Sequence, residues 1–417
     1  MNVHNNIAIA CCDKSYKKDL FLSRLFALYF VIMVANYSLK TYFSYQPVIV
    51  SLINSIMMIS LVAVMLMALI KSKKYVGKVI ISSYVLWGIL LLLGCLINAN
   101  NGYSNDVLIS ENAVWNLGLW IPLGCTVSAI KDKDILYKEL LRASYVMDLF
   151  LAFSFFTREV YTEYGQVAYN MSFGTYIILP ILLHLNEFLN RKAKFILIIL
   201  LFEFFALLSY GNRGGLLSVA FFFLSFYILS NRGSKATGVF VVLGFVAFLG
   251  VSVFGETLMA SANTYLSSHG IQSRTFEMFF SGNISLSTER EELRLVTIEM
   301  IKESPLIGWG FGGEYYEIAK RFSLATSGVS SYFNPHNGIL QNLVEFGIII
   351  GLLASYFIVK PLFCIKKIKN GSYKDLLIVF GSYAVIPKLV SAAGFFVHPE
   401  VAVFLYLYYF RNHFKTI

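Results

Sequence analysis

Apolar runs of about 20 residues recur along the whole chain, each long enough to cross roughly 30 Å of hydrocarbon. Such runs leave few folds open. In lipid, every backbone polar group must find its partner inside the structure, so a run of this length becomes a helix. Only 14% of the 417 residues are charged and 57% are hydrophobic, whereas a soluble domain carries roughly 25% charged residues. The sequence therefore predicts an all-α polytopic membrane protein, one transmembrane domain over 1–417 with no separate soluble part. The net charge of +10 does not indicate a nucleic-acid partner. The cations lie between the apolar runs, as membrane orientation requires.

Twelve spans are expected, at 20–39, 48–70, 78–97, 113–130, 140–157, 168–188, 195–210, 214–230, 237–255, 337–359, 375–392 and 394–411. The first follows Lys14, Lys17 and Lys18 with no small-residue cleavage site, so it reads as a signal anchor. With the N-terminus in the cytoplasm, the inner segments hold 24 Lys and Arg, and the five short outer connections hold only Lys40, Arg158 and Arg213. This bias places both termini in the cytoplasm, and long loops cross largely regardless of their charge. One long loop, 256–335, then lies outside between spans nine and ten. A loop of that length is usually functional. The five cysteines show no disulfide framework and no metal spacing. No metal site or cofactor is expected.

Ionisable residues inside spans cost about 2.5–3.5 kcal/mol at mid-depth, so they are paired or line a cavity. Here they are Asp148, His184, Glu203, Glu345 and Lys388. Glu345 and Lys388 read either as an ion pair between helices or as an acidic floor to a substrate cavity. Arg213 stands in "SYGNRGGLLS", a short outer turn whose glycines allow close backbone approach to a ligand. It is either an interfacial arginine reaching the headgroups or a fork for phosphate oxygens.

In the long loop, Thr288 and Glu291 form a capping box. Leu293, Val296, Met300 and Ile301 then make an apolar stripe at helical spacing, and Pro305 ends the helix. The stripe should pack on the membrane domain. Arg290 and Arg294, four residues apart, share a face beside it; they either pair with nearby glutamates or point over the membrane. Gly308, Gly310 and Gly313 spell a dinucleotide-type G-x-G-x-x-G, but no strand precedes them, so they read as a turn. Asp132-Lys133-Asp134, in a short cytoplasmic connection, reads as solvated charge.

Asn334 is a suitable N-cap with Pro335 at the first helical position. That puts His336 in the first turn of span ten, where the helix dipole disfavours imidazolium. A neutral imidazole there suits a general base, or simply caps the helix.

Taken together, "NRGGLL", Arg290 through "SPLIGWGFGG", and "HNGILQNLVEFG" resemble the O-antigen ligase and polymerase superfamily of bacterial surface-polysaccharide assembly. The three stretches follow in the family's order, on the outer face, within residues 209–351. The resemblance implies a GT-C-like fold and an inverting, metal-independent glycosyltransferase in the bacterial cytoplasmic (inner) membrane, with its active site facing the periplasm. The donor would be an undecaprenyl-diphosphate-linked oligosaccharide. Arg213 and Arg290 would hold the diphosphate, with Arg294 as helper, and His336 would deprotonate the acceptor hydroxyl. Asn337, Glu345 and Lys388 are supporting candidates. Partners besides the lipid-linked glycan and membrane lipid include a chain-length regulator protein.

The preferred reading is a polysaccharide polymerase. The alternative is a ligase that moves the finished glycan to lipid A core. Twelve spans also describe transporters, including lipid-linked oligosaccharide flippases, but these often show two related halves and none is visible here.

Overall fold

The structure is a computed structural model that describes residues 2–105, 108–109, 116–157, 171–191, 194–210, 213–229, 288–322, 335–369, 371–390 and 395–410. All regular structure among them is helical. The elements are α1 (Asn2–Tyr42), α2 (Pro47–Asn100), a π-helical turn (Asn116–Trp120) leading into α3 (Ile121–Ala129), α4 (Lys133–Phe156), α5 (Met171–Arg191), α6 (Lys194–Tyr210) and α7 (Arg213–Leu229). Then come α8 (Thr288–Glu303), α9 (Gly313–Arg321), α10 (Gly338–Cys364), α11 (Ser372–Phe380), a π-helical segment (Gly381–Val385), α12 (Ile386–Val390) and α13 (Pro399–Tyr409). Expected span nine and residues 256–287 and 323–334 of the long loop lie outside the described residues.

Four helical stretches among the described residues are long and apolar enough to cross a membrane: Ser15–Tyr42, Pro47–Asn100, Ser172–Asn190 and Gly338–Lys367. Large apolar side chains such as Leu28, Ile59, Leu92 and Ile349 face outward along them. That is the surface lipid would cover, since lipid tails are as apolar as these side chains. Buried positions on the same helices mix small groups, such as Ala68 and Gly94 of α2, with large ones such as Met65 and Trp87.

The expected cytoplasmic turn at 71–78 is helical. α2 runs through it with one non-helical residue, Val76 (φ −127°, ψ 25°). The chain nevertheless reverses there. Asn54 meets Asn36 and Lys40 near the end of α1, and Tyr75 lies under Lys18 near its start. Beyond Val76, Trp87 packs on Trp120, and Gly94 and Asn98 reach Phe311 and Gly313 at the start of α9.

Asp132-Lys133-Asp134 is not simply solvated charge. Asp132 caps α4, accepting from the amides of Asp134 and Ile135 at 2.9 and 3.2 Å. Lys133 donates to the Val127 carbonyl at 2.8 Å. Buried Asp19 of α1 accepts from the amides of Lys131 and Asp132, and Lys18 donates to Ala129 O at 3.1 Å. Lys18 and Asp19 thus tie α1 to the α3–α4 turn.

Span ten is the largest departure from the sequence reading. α10 breaks at Gly347 (φ 74°, ψ 173°). Asn342 Nδ2 donates to Ser355 Oγ at 3.0 Å, yet thirteen residues of straight helix would separate them by about 20 Å. The halves 338–346 and 348–364 are therefore folded against each other. The backbone groups freed by the break are taken up by the turn between α8 and α9. Trp309 N donates to Val344 O at 2.8 Å, Gly310 N to Glu345 O at 3.1 Å, and Ile348 N to Pro305 O at 2.7 Å. Gly308 and Gly310 have φ of 75° and 88°, so these glycines form a turn, as expected. That turn is docked into a broken helix.

At Gly347 the backbone is in a region nearly reserved for glycine, and an added Cβ would lie 2.3 Å from Leu306 O. Strain of this kind costs about 1–3 kcal/mol, before the collision is counted. Gly347→Ala should therefore lower the thermal unfolding midpoint of detergent-solubilised protein. Gly88→Ala, whose Cβ would meet nothing within 4 Å, should leave it unchanged. Equal midpoints for the two variants would contradict the broken-helix packing.

Candidate active site

The site is built around the start of α10. His336 is the one non-glycine residue with positive φ (50°) among the described residues. Left-handed backbone of this kind is uncommon for histidine and is worth functional attention. It also moves the helix start. α10 begins at Gly338, and the N-cap is Asn337 rather than Asn334, because a residue at φ 50° cannot belong to the first turn. Asn337 Oδ1 accepts from the amides of Ile339 and Leu340, both at 3.0 Å. His336 therefore precedes the helix and is half-buried at its mouth.

Asn337 does a second job. Its Nδ2 donates to Leu389 O of α12 at 2.9 Å, beside buried Lys388. Gly338 lies so close to the Phe395 ring that a Cβ would come within 2.7 Å of it. The His336 turn is thus fixed to α12. In turn α12 packs against α7, the helix that Arg213 opens. His336, Asn337 and the helix of Lys388 are brought together, and the helix of Arg213 is their neighbour. The side chains of Arg213 and Arg290 lie outside the described residues.

The expected stripe on α8 does pack on the membrane domain. Met300 and Ile301 join Ile318 of α9 and Val344 of α10 in one buried cluster, with Leu293, Val296, Leu340 and Leu343 against it. Arg290 is the third residue of α8. Arg294, one turn further on, is exposed. Arg321 ties α8 to the end of α9, donating to Glu303 Oε1 at 3.2 Å and Glu317 Oε1 at 2.8 Å. Tyr103 stacks on Tyr316 and donates to Glu317 Oε2 at 2.8 Å, which fixes α9 to the end of α2.

Glu345 and Lys388 do not form the expected pair. The break at Gly347 leaves Glu345 beside the α8–α9 turn, where Gln341 Nε2 donates to its Oε1 at 2.9 Å and to Glu314 Oε1 at 3.0 Å. Tyr315 Oη lies 3.0 Å from the same nitrogen. Lys388 has Glu400 and His398 as its charged neighbours. The two buried carboxyls of Glu314 and Glu345 thus share one amide. Sequence reading singled out Glu345 but missed Glu314 and Gln341, because their meeting depends on the fold of the loop.

Part of this region falls in a segment that matches a known family. Residues 195–355 match the family described as O-antigen ligase. Over that segment the chain is similar to the O-antigen ligase family. No curated protein matches it. The matched segment contains Arg213, Arg290, Arg294, His336, Asn337 and Glu345. It covers most of α6, all of α7, α8 and α9, and both sides of the break in α10. The match supports a function of the O-antigen ligase and polymerase type, in a bacterial membrane and on a lipid-linked glycan.

Burial pushes the Glu314 carboxyl up to about 7. A carboxyl raised in the folded state stabilises the fold fully below its unfolded value of 4.5 and loses that contribution as pH rises through about 7. The unfolding midpoint of the solubilised protein should fall between pH 5 and pH 8, and Glu314→Gln should flatten that slope. A variant with the wild-type slope would remove Glu314 as the cause.

Proposed function

We propose that this protein is a polysaccharide polymerase of the O-antigen or capsule type. It transfers a growing glycan from undecaprenyl diphosphate to the terminal sugar of a lipid-linked repeat unit, on the outer side of the cytoplasmic membrane. In this reading both termini are cytoplasmic, and loop 256–335 covers the outer ends of a single transmembrane domain. The observation that carries it is the backbone at His336. A histidine in a left-handed turn, fixed by Asn337 to both α10 and α12, lies inside the family segment, and α12 in turn packs against the helix that Arg213 opens.

The chemistry follows from what inversion requires. The acceptor hydroxyl gives its proton to the His336 imidazole as its oxygen attacks the anomeric carbon. The bond from that carbon to the diphosphate breaks, and the lipid diphosphate leaves with the negative charge. Arg213 and Arg290 face that charge as it develops, where fixed donors are worth most, and Arg294 assists. General-base catalysis contributes roughly 10²–10⁴-fold. His336→Ala should therefore slow chain growth by about that factor, and Arg213→Ala should abolish it, at unchanged protein level in the membrane. Full-length polymer from both variants would overturn these roles.

The ligase reading is kept because the matching family is described as O-antigen ligase. The two differ only in acceptor. Purified protein given lipid-linked repeat units alone should yield a ladder of lengths. A single transfer product that appears only when lipid A core is added would establish the ligase instead.

A further inference from the structure

Three of the ionisable residues buried within spans converge on one point. Asp148 of α4, His184 of α5 and Glu203 of α6 place one ligand atom each within 4.8 Å of the others. His184 Nδ1 lies 2.9 Å from Glu203 Oε1 and 3.5 Å from Asp148 Oδ2. His184 and Glu203 are fully buried, and Asp148 is nearly so.

The other side of the ring fixes its tautomer. Ser144 Oγ donates to Leu141 O at 2.7 Å, so toward His184 Nε2, at 2.9 Å, it acts as acceptor. Nε2 therefore carries a proton, and Nδ1 faces two carboxyl groups. Nitrogen lone pair against carboxylate oxygen is repulsive unless a proton or a metal ion sits between them. Among the described residues, Glu203 Oε2 and both Asp148 oxygens have no hydrogen-bond partner outside the cluster itself. A fully buried carboxyl with an unpartnered oxygen aimed into such a cluster is costly unless it is paired or coordinates a metal.

We propose that Asp148, His184 and Glu203 form a binding site for one divalent transition-metal ion inside the membrane domain. Two carboxylates and a neutral imidazole neutralise a divalent ion completely, which low-dielectric surroundings demand. Imidazole with carboxylate suits ions such as zinc or manganese. Ser144 holds the non-ligating nitrogen, as outer hydrogen-bond partners of metal-bound histidines do. The ion clamps α4, α5 and α6 together. It takes no part in glycan transfer, since none of these helices carries His336 or the arginines. No sequence spacing announces the site, because each ligand comes from a different helix.

The test uses full-length protein purified in detergent through a tag without histidines. It is stripped with chelator, incubated with Zn²⁺ or Mn²⁺, passed through gel filtration and assayed by elemental mass spectrometry. Wild type should retain about one equivalent of metal per chain, and Ser144→Ala should bind roughly 10–100-fold more weakly, the usual effect of losing an outer partner. The near-isosteric Glu203→Gln should retain almost none, while eluting as wild type does. Retention of less than about a tenth of an equivalent of either metal by wild type would mean that only protons occupy the cluster and would overturn the proposal, since a built site should fill under these conditions. Equal retention by wild type and Glu203→Gln would overturn it too.

Discussion

The candidate site of this protein depends on a backbone exchange at Gly347. A membrane helix can break only where its freed amides and carbonyls find new partners, since lipid offers none. Here the partners come from the loop: the Trp309 and Gly310 amides meet the Val344 and Glu345 carbonyls, and the Pro305 carbonyl takes the Ile348 amide. Each unsatisfied group would cost about 1–3 kcal/mol, so loop and break stand or fall together. The break turns residues 338–346 into a short half-helix. Its start carries His336 and its buried face meets the loop.

From that exchange the rest of the candidate site follows. The half-helix is held on one side by the apolar cluster of Met300, Ile301, Ile318 and Val344. On the other side the Asn337 bond to Leu389 holds it. The loop helix α9 is wedged between the end of α2 and Gln341, through Tyr103 and Glu314. A catalytic group must be kept within a fraction of an ångström of its working position. A left-handed histidine fixed by neighbours on two helices meets that demand better than one on a free loop.

Much of this was legible in the sequence. Apolar length gave the helical membrane class, and the stripe from Leu293 to Ile301 placed α8 correctly. The order of the three motifs pointed to the family whose match covers 195–355. What the sequence hid is what depends on tertiary partners. "EFGIIIG" is apolar throughout, so hydropathy runs straight through a break made by one glycine and satisfied by a distant loop. Asn334 and Asn337 are equally good caps by residue type, and only the turn at His336 decides between them. Residues 71–78 carry four lysines and read as a connection, yet lysine is a good helix former and the helix is interrupted there only at Val76. Asp148, His184 and Glu203 were visible singly, but nothing in their spacing says that three helices bring them together.

The exchange at Gly347 can be measured directly by amide hydrogen exchange on the full-length protein in a lipid nanodisc. The amides of Trp309, Gly310 and Ile348 should exchange as slowly as those of buried helical residues such as Val344, although two of them belong to a loop. Exchange of Trp309 and Gly310 at the rate of exposed loop amides would show that the loop does not fill the break, and the architecture described for the site would fail.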